Sequence, residues 1–287
     1  MGSSDIERLK GPILVLGGHG FIGKNLVSFL RREREDVFAP EYGKGYLVDA
    51  KTVFNLIAYG QYPEHKDVAL IYETNFVKMQ RSLQPWRGHG DVVYVNAGSS
   101  SEYGTHAAGS GEDEMLTPNS HYAVSKAAGS ALLHYMGKHE GFPCAHLRLY
   151  SVYGPGERES RLIPSLIAAG RKGEYPPLVQ PDISRDFVYV EDVCEAFIKA
   201  AVNLAPEHYG EAFNIGTGVK TTIRQVAETA QKVFCIPHPP AFETMPNRSW
   251  DVKDWYANPL KAERVLGWKA KTSFEEGFRL TVAAGKG

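Results

Sequence analysis

Tyr122 and Lys126 stand four residues apart in the segment Tyr122-Ala-Val-Ser-Lys126. On a helix that spacing puts a phenol and an ammonium on one face, within reach of a common ligand. A free phenol ionises near pH ~10 and is a poor base at neutrality. A neighbouring ammonium, joined by a further positive charge on a bound molecule, stabilises the phenolate and lowers that value. Such a pair can take a proton from a hydroxyl, or return one, while a hydride moves at the carbon bearing it. Hydroxyls stand ready nearby in sequence. The apolar run DVVYVN, ending at Asn96, leads into Ala-Gly-Ser99-Ser100-Ser101-Glu102-Tyr103-Gly104. A hydroxyl there can steady a substrate oxygen beside Tyr122 or share its proton path; a plain turn is the alternative.

A second constellation lies about a hundred residues earlier. Gly17-Gly-His-Gly20-Phe21-Ile22-Gly23 sits between an apolar run and a helical pattern. A missing Cβ at Gly17 permits a tight turn, at Gly20 lets backbone approach a pyrophosphate, and at Gly23 lets helix and strand pack closely. The helix N-terminus then offers free N–H groups and partial positive charge to the anion. Glu41, 24 positions after Gly17, stands where a ribose-binding carboxylate is expected. A carboxylate accepts hydrogen bonds from a free 2′-hydroxyl and repels a 2′-phosphate, so the pattern predicts NAD. Lys44 keeps NADP as the alternative, and a solvated loop charge is the other reading of Glu41. Lys126 would then also hold the nicotinamide ribose.

These groups need a scaffold that brings strand ends together. Residues 12–16, 36–40, 52–58, 91–96 and 144–150 read as buried strands, and 25–34, 72–83 and 120–139 as helices. Asn119 or Ser120 would cap the long helix and Gly141 would end it. The alternation predicts an α/β fold with a doubly wound, Rossmann-type parallel sheet. After about residue 155, segments rich in Pro and Gly predict a smaller C-terminal substrate-binding lobe. The expected division is 1–155 plus about 186–217 for the dinucleotide domain, and about 156–185 plus 218–287 for the lobe. One stretch is odd: eleven residues between Glu41 and Val53 are too few for a strand-and-helix crossover. Either a βα unit is truncated there or a longer segment is absent.

Composition narrows the setting. The formal net charge of −1 gives no general pull toward nucleic acid or anionic membrane, so anion recognition must be local. Three widely spaced cysteines, Cys144, Cys194 and Cys235, form no metal-ligand pattern, fit a reducing compartment and read as small core residues. No apolar run is long enough for a membrane span, and the N-terminal segment lacks a signal-peptide core. The expectation is a soluble cytoplasmic protein without metal.

The set GGHGFIG, SSSEYG, YAVSK, LRLYSVYGPGE, RDFVYVEDV and FNIGTG resembles the extended short-chain dehydrogenase/reductase family. More narrowly it is similar to the NAD-dependent epimerase/dehydratase group acting on nucleotide sugars, from Ile13 to about Arg279. The resemblance implies that Tyr122 and Lys126 are the catalytic pair. It aligns Ser99 with the third catalytic position, or Ser100 if one residue is lost after Glu102. It implies that Asn75 packs beside the cofactor, that Ala58 lies beneath it, and that Arg185 and Arg248 grip the substrate diphosphate. For Arg185, a structural ion pair with Asp186 or Asp192 is the alternative. Ser151 departs from the asparagine many relatives carry near that phosphate.

What the resemblance implies about chemistry is work at a sugar carbon, usually C4, of a nucleoside-diphosphate sugar. Epimerase and 4-keto-sugar reductase both fit. A 4,6-dehydratase needs an Asp/Glu pair where Ser100 and Ser101 stand, with Glu102 supplying one carboxylate only in the shifted alignment. A nucleotide-binding scaffold without turnover is the reading from another class. The resemblance also implies a homodimer through the YxxxK helix, whose stripe Ala127, Ala128, Ala131, Leu132, Tyr135 permits close packing.

Overall fold

Five short apolar segments from the first 150 residues, joined by one from later in the chain, form a single parallel sheet. The computed structural model describes residues 4–41, 49–62, 64–245 and 252–285. Its strands are β1 (Ile13–Leu16), β2 (Val37–Phe38), β3 (Thr52–Asn55), β4 (Val93–Ser99), β5 (Cys144–Leu149), β6 (Ser151–Tyr153), β7 (Ser184–Arg185), β8 (Phe187–Tyr189), β9 (Glu211–Ile215) and β10 (Thr221–Thr222). The helices are α1 (Ser4–Glu7), α2 (Phe21–Leu30), α3 (Val68–Tyr72), α4 (Lys78–Leu83), α5 (His121–Glu140), α6 (Leu162–Gly170), α7 (Val190–Asn203), α8 (Ile223–Phe234) and α9 (Phe274–Ala284). A π-helical turn, Glu73–Val77, joins α3 to α4.

The sheet order is β2-β1-β3-β4-β5-β9, with each neighbouring pair parallel. Strand alternation builds two layers. Ile13 and Val15 join the core beneath α2 and α7, whereas Leu14 and Leu16 join Met79, Leu83, Leu133 and Met136 on the other face. Each such side chain taken fully from water contributes about 1.5–3 kcal/mol. A further core of Tyr153, Leu166, Phe187, Val226 and Phe278 ties α6, α8 and α9 to the short β6–β8 pair.

The doubly wound sheet is thus as the sequence predicts, with shifts at element ends. The helix expected at 25–34 runs from Phe21 to Leu30, because Gly20 caps it and the glycine at position 23 hides its first turn from a propensity reading. The helix expected from Tyr72 begins at Val68, where Asp67 accepts from the Leu70 N–H at 2.9 Å. Ser120 caps α5 by accepting from the Ala123 N–H at 3.1 Å, and Gly141 ends it in the left-handed region. Cys144 and Cys194 are core residues as expected; Cys235 is exposed at the left-handed cap of α8.

The short stretch after Glu41 has a topological counterpart. Among the described residues β2 is the edge strand, and the chain passes from it across β1 to β3 without a helix. A full doubly wound sheet carries a further strand outside β2. Among the described residues no strand lies outside β2. Lys44 lies outside the described residues.

Candidate active site

Strand order changes direction at β1, which has β2 on one side and β3 on the other. The C-terminal ends of the strands there open into a cleft of about 1510 Å³. That exceeds the ~300–1,000 Å³ of a site for one small ligand. Gly17, with φ +77°, turns the chain at the end of β1; a Cβ on it would stand 2.8 Å from the Leu56 backbone. At Gly23 a Cβ would overlap the Gly17 carbonyl, so the turn and the first coil of α2 pack only with glycine there. Gly20 caps α2 with no side-chain hydrogen bond, leaving backbone N–H groups facing the cleft. Gly20, Phe21, Ile22, Glu41 and Ala58 line the same wall.

Asn75 lies just behind that wall rather than on it. Its Oδ1 accepts from the Tyr59 N–H at 2.8 Å, and its Nδ2 donates to the Tyr59 carbonyl at 2.7 Å and to Ser125 Oγ at 2.9 Å. The π-turn thereby fixes the loop after β3 against α5. Ser125 itself donates to the Tyr122 carbonyl at 2.7 Å, one residue before Lys126.

Tyr122, Lys126 and Ser99 converge where β4 meets α5. Lys126 is 4% exposed and donates to the Ala97 carbonyl at 2.9 Å, with Nζ 5.9 Å from the centre of the Tyr122 ring. The Ser99 side chain lies beside the Tyr122 phenol and favours its ionised form. Burial pushes Tyr122 up to about 12; the Ser99 side chain opposes this and the Glu102 charge adds to it. Burial brings Lys126 down to about 8, with Glu102 pulling the other way. In the protein by itself burial is the largest influence on the phenol; the positive charge of a bound cofactor, which the sequence expectation also invokes, is a separate contribution.

The neighbouring serines divide in use. Ser99 Oγ and Ser101 Oγ are 2.8 Å apart and both line the cleft. Ser100 is 5% exposed and accepts from Trp255 Nε1 at 2.8 Å, which anchors the segment before α9. Glu102 is wholly buried, outside the cleft, where it accepts from His146 Nε2 at 2.8 Å and Arg148 Nε at 3.1 Å. With serines at 100 and 101 and Glu102 turned away, no carboxylate of this turn faces the cleft.

The opposite wall carries Ser151 on β6 and Arg185 on β7. Arg185 Nη1 donates to the carbonyls of Ser184 at 2.7 Å and Val252 at 3.0 Å, and its guanidinium lies 5.8 Å from the Trp255 ring centre. Arg185 thus faces the cleft, while Asp186 is spent on the N–H groups of Thr217, Gly218 and Ala257. Arg248 lies outside the described residues.

Sequence reasoning missed Trp255, Glu157 and Arg161, all on the cleft wall. Glu157 Oε1 accepts from Arg161 Nε at 3.3 Å, and burial lifts its carboxyl to about 7. The signal was a carboxylate and a guanidinium four residues apart just after Tyr-Gly-Pro. Among the described residues no cluster of His, Cys, Asp and Glu has the arrangement of a metal site, and no helix is long and apolar enough to cross a membrane.

A parallel sheet with a glycine turn at its switch point and a Tyr–Lys pair opposite defines a dinucleotide-dependent enzyme of the Rossmann class. The chain belongs to the NAD dependent epimerase/dehydratase family, whose model matches residues 44–216. It is 29% identical to the UDP-glucose 4-epimerase of Mycolicibacterium smegmatis (strain ATCC 700084 / mc(2)155), covering 98% of this chain and 94% of that protein. The alignment runs over 307 positions against 287 residues here, so the relative carries segments this chain lacks. A solved structure described as MoeE5 in complex with UDP-glucose and NAD superposes with a TM-score of 0.85 at 28% identity, covering 96% of this chain and 99% of that one. The UDP-glucose 4-epimerase of Thermotoga maritima, solved with UDP-glucose, gives 0.83 at 25% identity, covering 96% and 98%. The protein is accordingly an NAD-dependent enzyme, and its glycine cradle, uncapped helix end and buried Lys126 fit that cofactor.

Proposed function

We propose that this enzyme interconverts the C4 epimers of a nucleoside-diphosphate sugar. The observation that carries the reading is that Tyr122, Ser99 and Lys126 line the same cleft as the glycine turn and the Arg185–Trp255 pair. NAD, when bound, supplies the acceptor and then the donor of the sugar hydride. Tyr122 takes the proton from the C4 hydroxyl and later returns it to the ketone oxygen. Ser99 holds that oxygen in line with the phenol. Lys126 keeps a positive charge beside the phenolate and retains donors for the ribose hydroxyls beyond its bond to Ala97.

Glu41 at the cleft rim would accept the adenosine ribose hydroxyls. Arg185 would meet the substrate diphosphate with paired donors, with Arg248 as its partner and Ser151 alongside. Residues about 156–185 and 218–287 would form the sugar-nucleotide lobe, and 1–155 with about 186–217 the NAD domain. The relatives that bind UDP-glucose support the substrate class and a C4 site of reaction.

The absence of an acid pair after Ser99 favours epimerase over 4,6-dehydratase. A 4-keto-sugar reductase is the second reading. A panel of UDP-, GDP-, CDP- and dTDP-sugars, followed by absorbance of reduced nicotinamide and by product chromatography, separates them. Product without net change in reduced nicotinamide supports the epimerase; stoichiometric consumption supports the reductase.

The functional unit would be a homodimer. On α5, Ala131 and Tyr135 are exposed and Ala127, Ala128 and Leu132 half-buried, with Val124 exposed beside them. Val68 and Leu70 of α3 add exposed apolar surface, and α3 packs beside α5.

A further inference from the structure

Directly beneath the cleft, a chain of buried polar side chains crosses the sheet. Asn55, Asn96 and His146 are register partners on β3, β4 and β5, and Arg148 and Asn214 are partners on β5 and β9. Asn55 Nδ2 donates to Asn96 Oδ1 at 2.8 Å. That leaves the Asn96 amide N–H to face His146 Nδ1 at 3.0 Å, so the other ring nitrogen is the donor to Glu102 Oε1 at 2.8 Å. Glu102 Oε2 accepts from Arg148 Nε at 3.1 Å, and Arg148 Nη1 donates to Tyr103 at 2.8 Å, whose hydroxyl donates to Asn214 at 2.8 Å. Every member of this chain is 5% exposed or less.

A buried carboxylate is costly unless its lone pairs are met. Here they are met, and one donor is the backbone N–H of Ser99, at 2.8 Å from Oε1. Ser99 and Glu102 thus form a reciprocal box: the Ser99 side chain caps the turn that follows β4, while the Glu102 side chain holds the Ser99 peptide. The strand makes room for it. A Cβ at Gly98 would overlap His146 Nε2 and stand 2.9 Å from Glu102 Oε1.

We propose that Glu102 is a positioning residue: anchored by His146 and Arg148, it fixes the Ser99 peptide and so aims the Ser99 hydroxyl at Tyr122. The catalytic consequence rests on the epimerase reading above; the clamp itself does not. Glu102 touches neither cleft nor substrate, and it acts only through Ser99.

Two measurements test it, and they fail separately. The first is amide hydrogen exchange, in wild type and Glu102→Gln, read from overlapping peptides that begin at least two residues before Ser99 and run past residue 104. The clamp requires faster exchange at the Ser99 amide while α5 peptides stay protected; unchanged exchange at Ser99 overturns the proposal whether or not any sugar turns over. The second is a double-mutant cycle with Ser99→Ala. In wild-type background Glu102→Gln lowers kcat, by up to about a hundredfold for a displaced reacting group, with KM little changed. In the Ser99→Ala background it has almost no further effect. An equal loss in both backgrounds assigns Glu102 a general structural role and overturns the positioning role. If Glu102→Gln does not fold, Glu102→Asp keeps the charge beside Arg148 but not the reach to Ser99, and carries both measurements. Wild-type protein that turns over no nucleotide sugar sinks the functional reading, and the exchange result then decides the clamp.

Discussion

Ser99, at the end of β4, sets its side chain beside the Tyr122 phenol, while Ser100, one residue on, is held by the Trp255 indole. This division gives opposite expectations for two adjacent serines. Ser99→Ala lowers kcat by about ten- to a hundredfold, and Tyr122→Phe by about 10²–10⁴-fold, the range for a lost acid/base group. Ser100→Ala leaves kcat near wild type and costs about 1 kcal/mol of stability for the lost bond. Steady-state kinetics and denaturant melts of the three variants check this; a larger kcat loss at Ser100 than at Ser99 would reverse the assignment.

Glu157 gives a pH-dependent expectation. Its Oε2 is buried without a hydrogen-bond partner among the described residues, and burial, against the opposing Arg161 charge, lifts the carboxyl from 4.5 to about 7. A folded-state value above the unfolded one means extra protons bound in the folded state. The resulting stability is complete below about pH 4.5 and is lost as pH rises through about 7. Glu157→Gln removes that titration, so above pH ~7 the variant is more stable than wild type, by about 3 kcal/mol at most. Urea melts across a pH series measure it. A difference that stays constant with pH would contradict the argument.

Arg185 is held over Trp255 by two backbone carbonyls with its guanidinium facing the cleft. Arg185→Lys keeps the charge but not the paired donors. It raises KM for the nucleotide sugar by about tenfold or more, the value of one or two charge-assisted bonds, with kcat little altered. A fall in kcat at constant KM would move Arg185 from binding to chemistry.

For assembly, Tyr135→Glu places a charge on the exposed face of α5. Sedimentation should show a dimer for the wild type and a monomer for the variant, both folded by circular dichroism. A wild-type monomer, or an undisturbed dimer in the variant, rejects this face.

Much of this arrangement was legible in the residues. Gly17, Gly23 and the Tyr122–Lys126 spacing carry their geometry in short-range sequence, because a tight turn and a helical repeat are local. The choice between Ser99 and Ser100 was not legible, because Trp255 lies 155 positions from the serine it binds. Glu102 read as a spare carboxylate near the site; its partners His146 and Arg148 reach it only through strand register. Burial, too, is a tertiary property, and it raises the Tyr122 phenol in a way the local sequence does not show. The short stretch after Glu41 was visible as too few residues for the usual crossover, and among the described residues β2 is the edge strand.

The central claim is that the hydride removed from C4 goes back to the same carbon on the other face. The direct measurement uses the best substrate of the nucleotide-sugar panel, deuterated at C4, incubated with enzyme and NAD and followed by nuclear magnetic resonance. The account predicts the C4 epimer with deuterium still at C4 and no net accumulation of reduced nicotinamide. Reduced nicotinamide accumulating in step with product, deuterium lost from C4, or no epimer from a protein that binds NAD and the sugar nucleotide would contradict it.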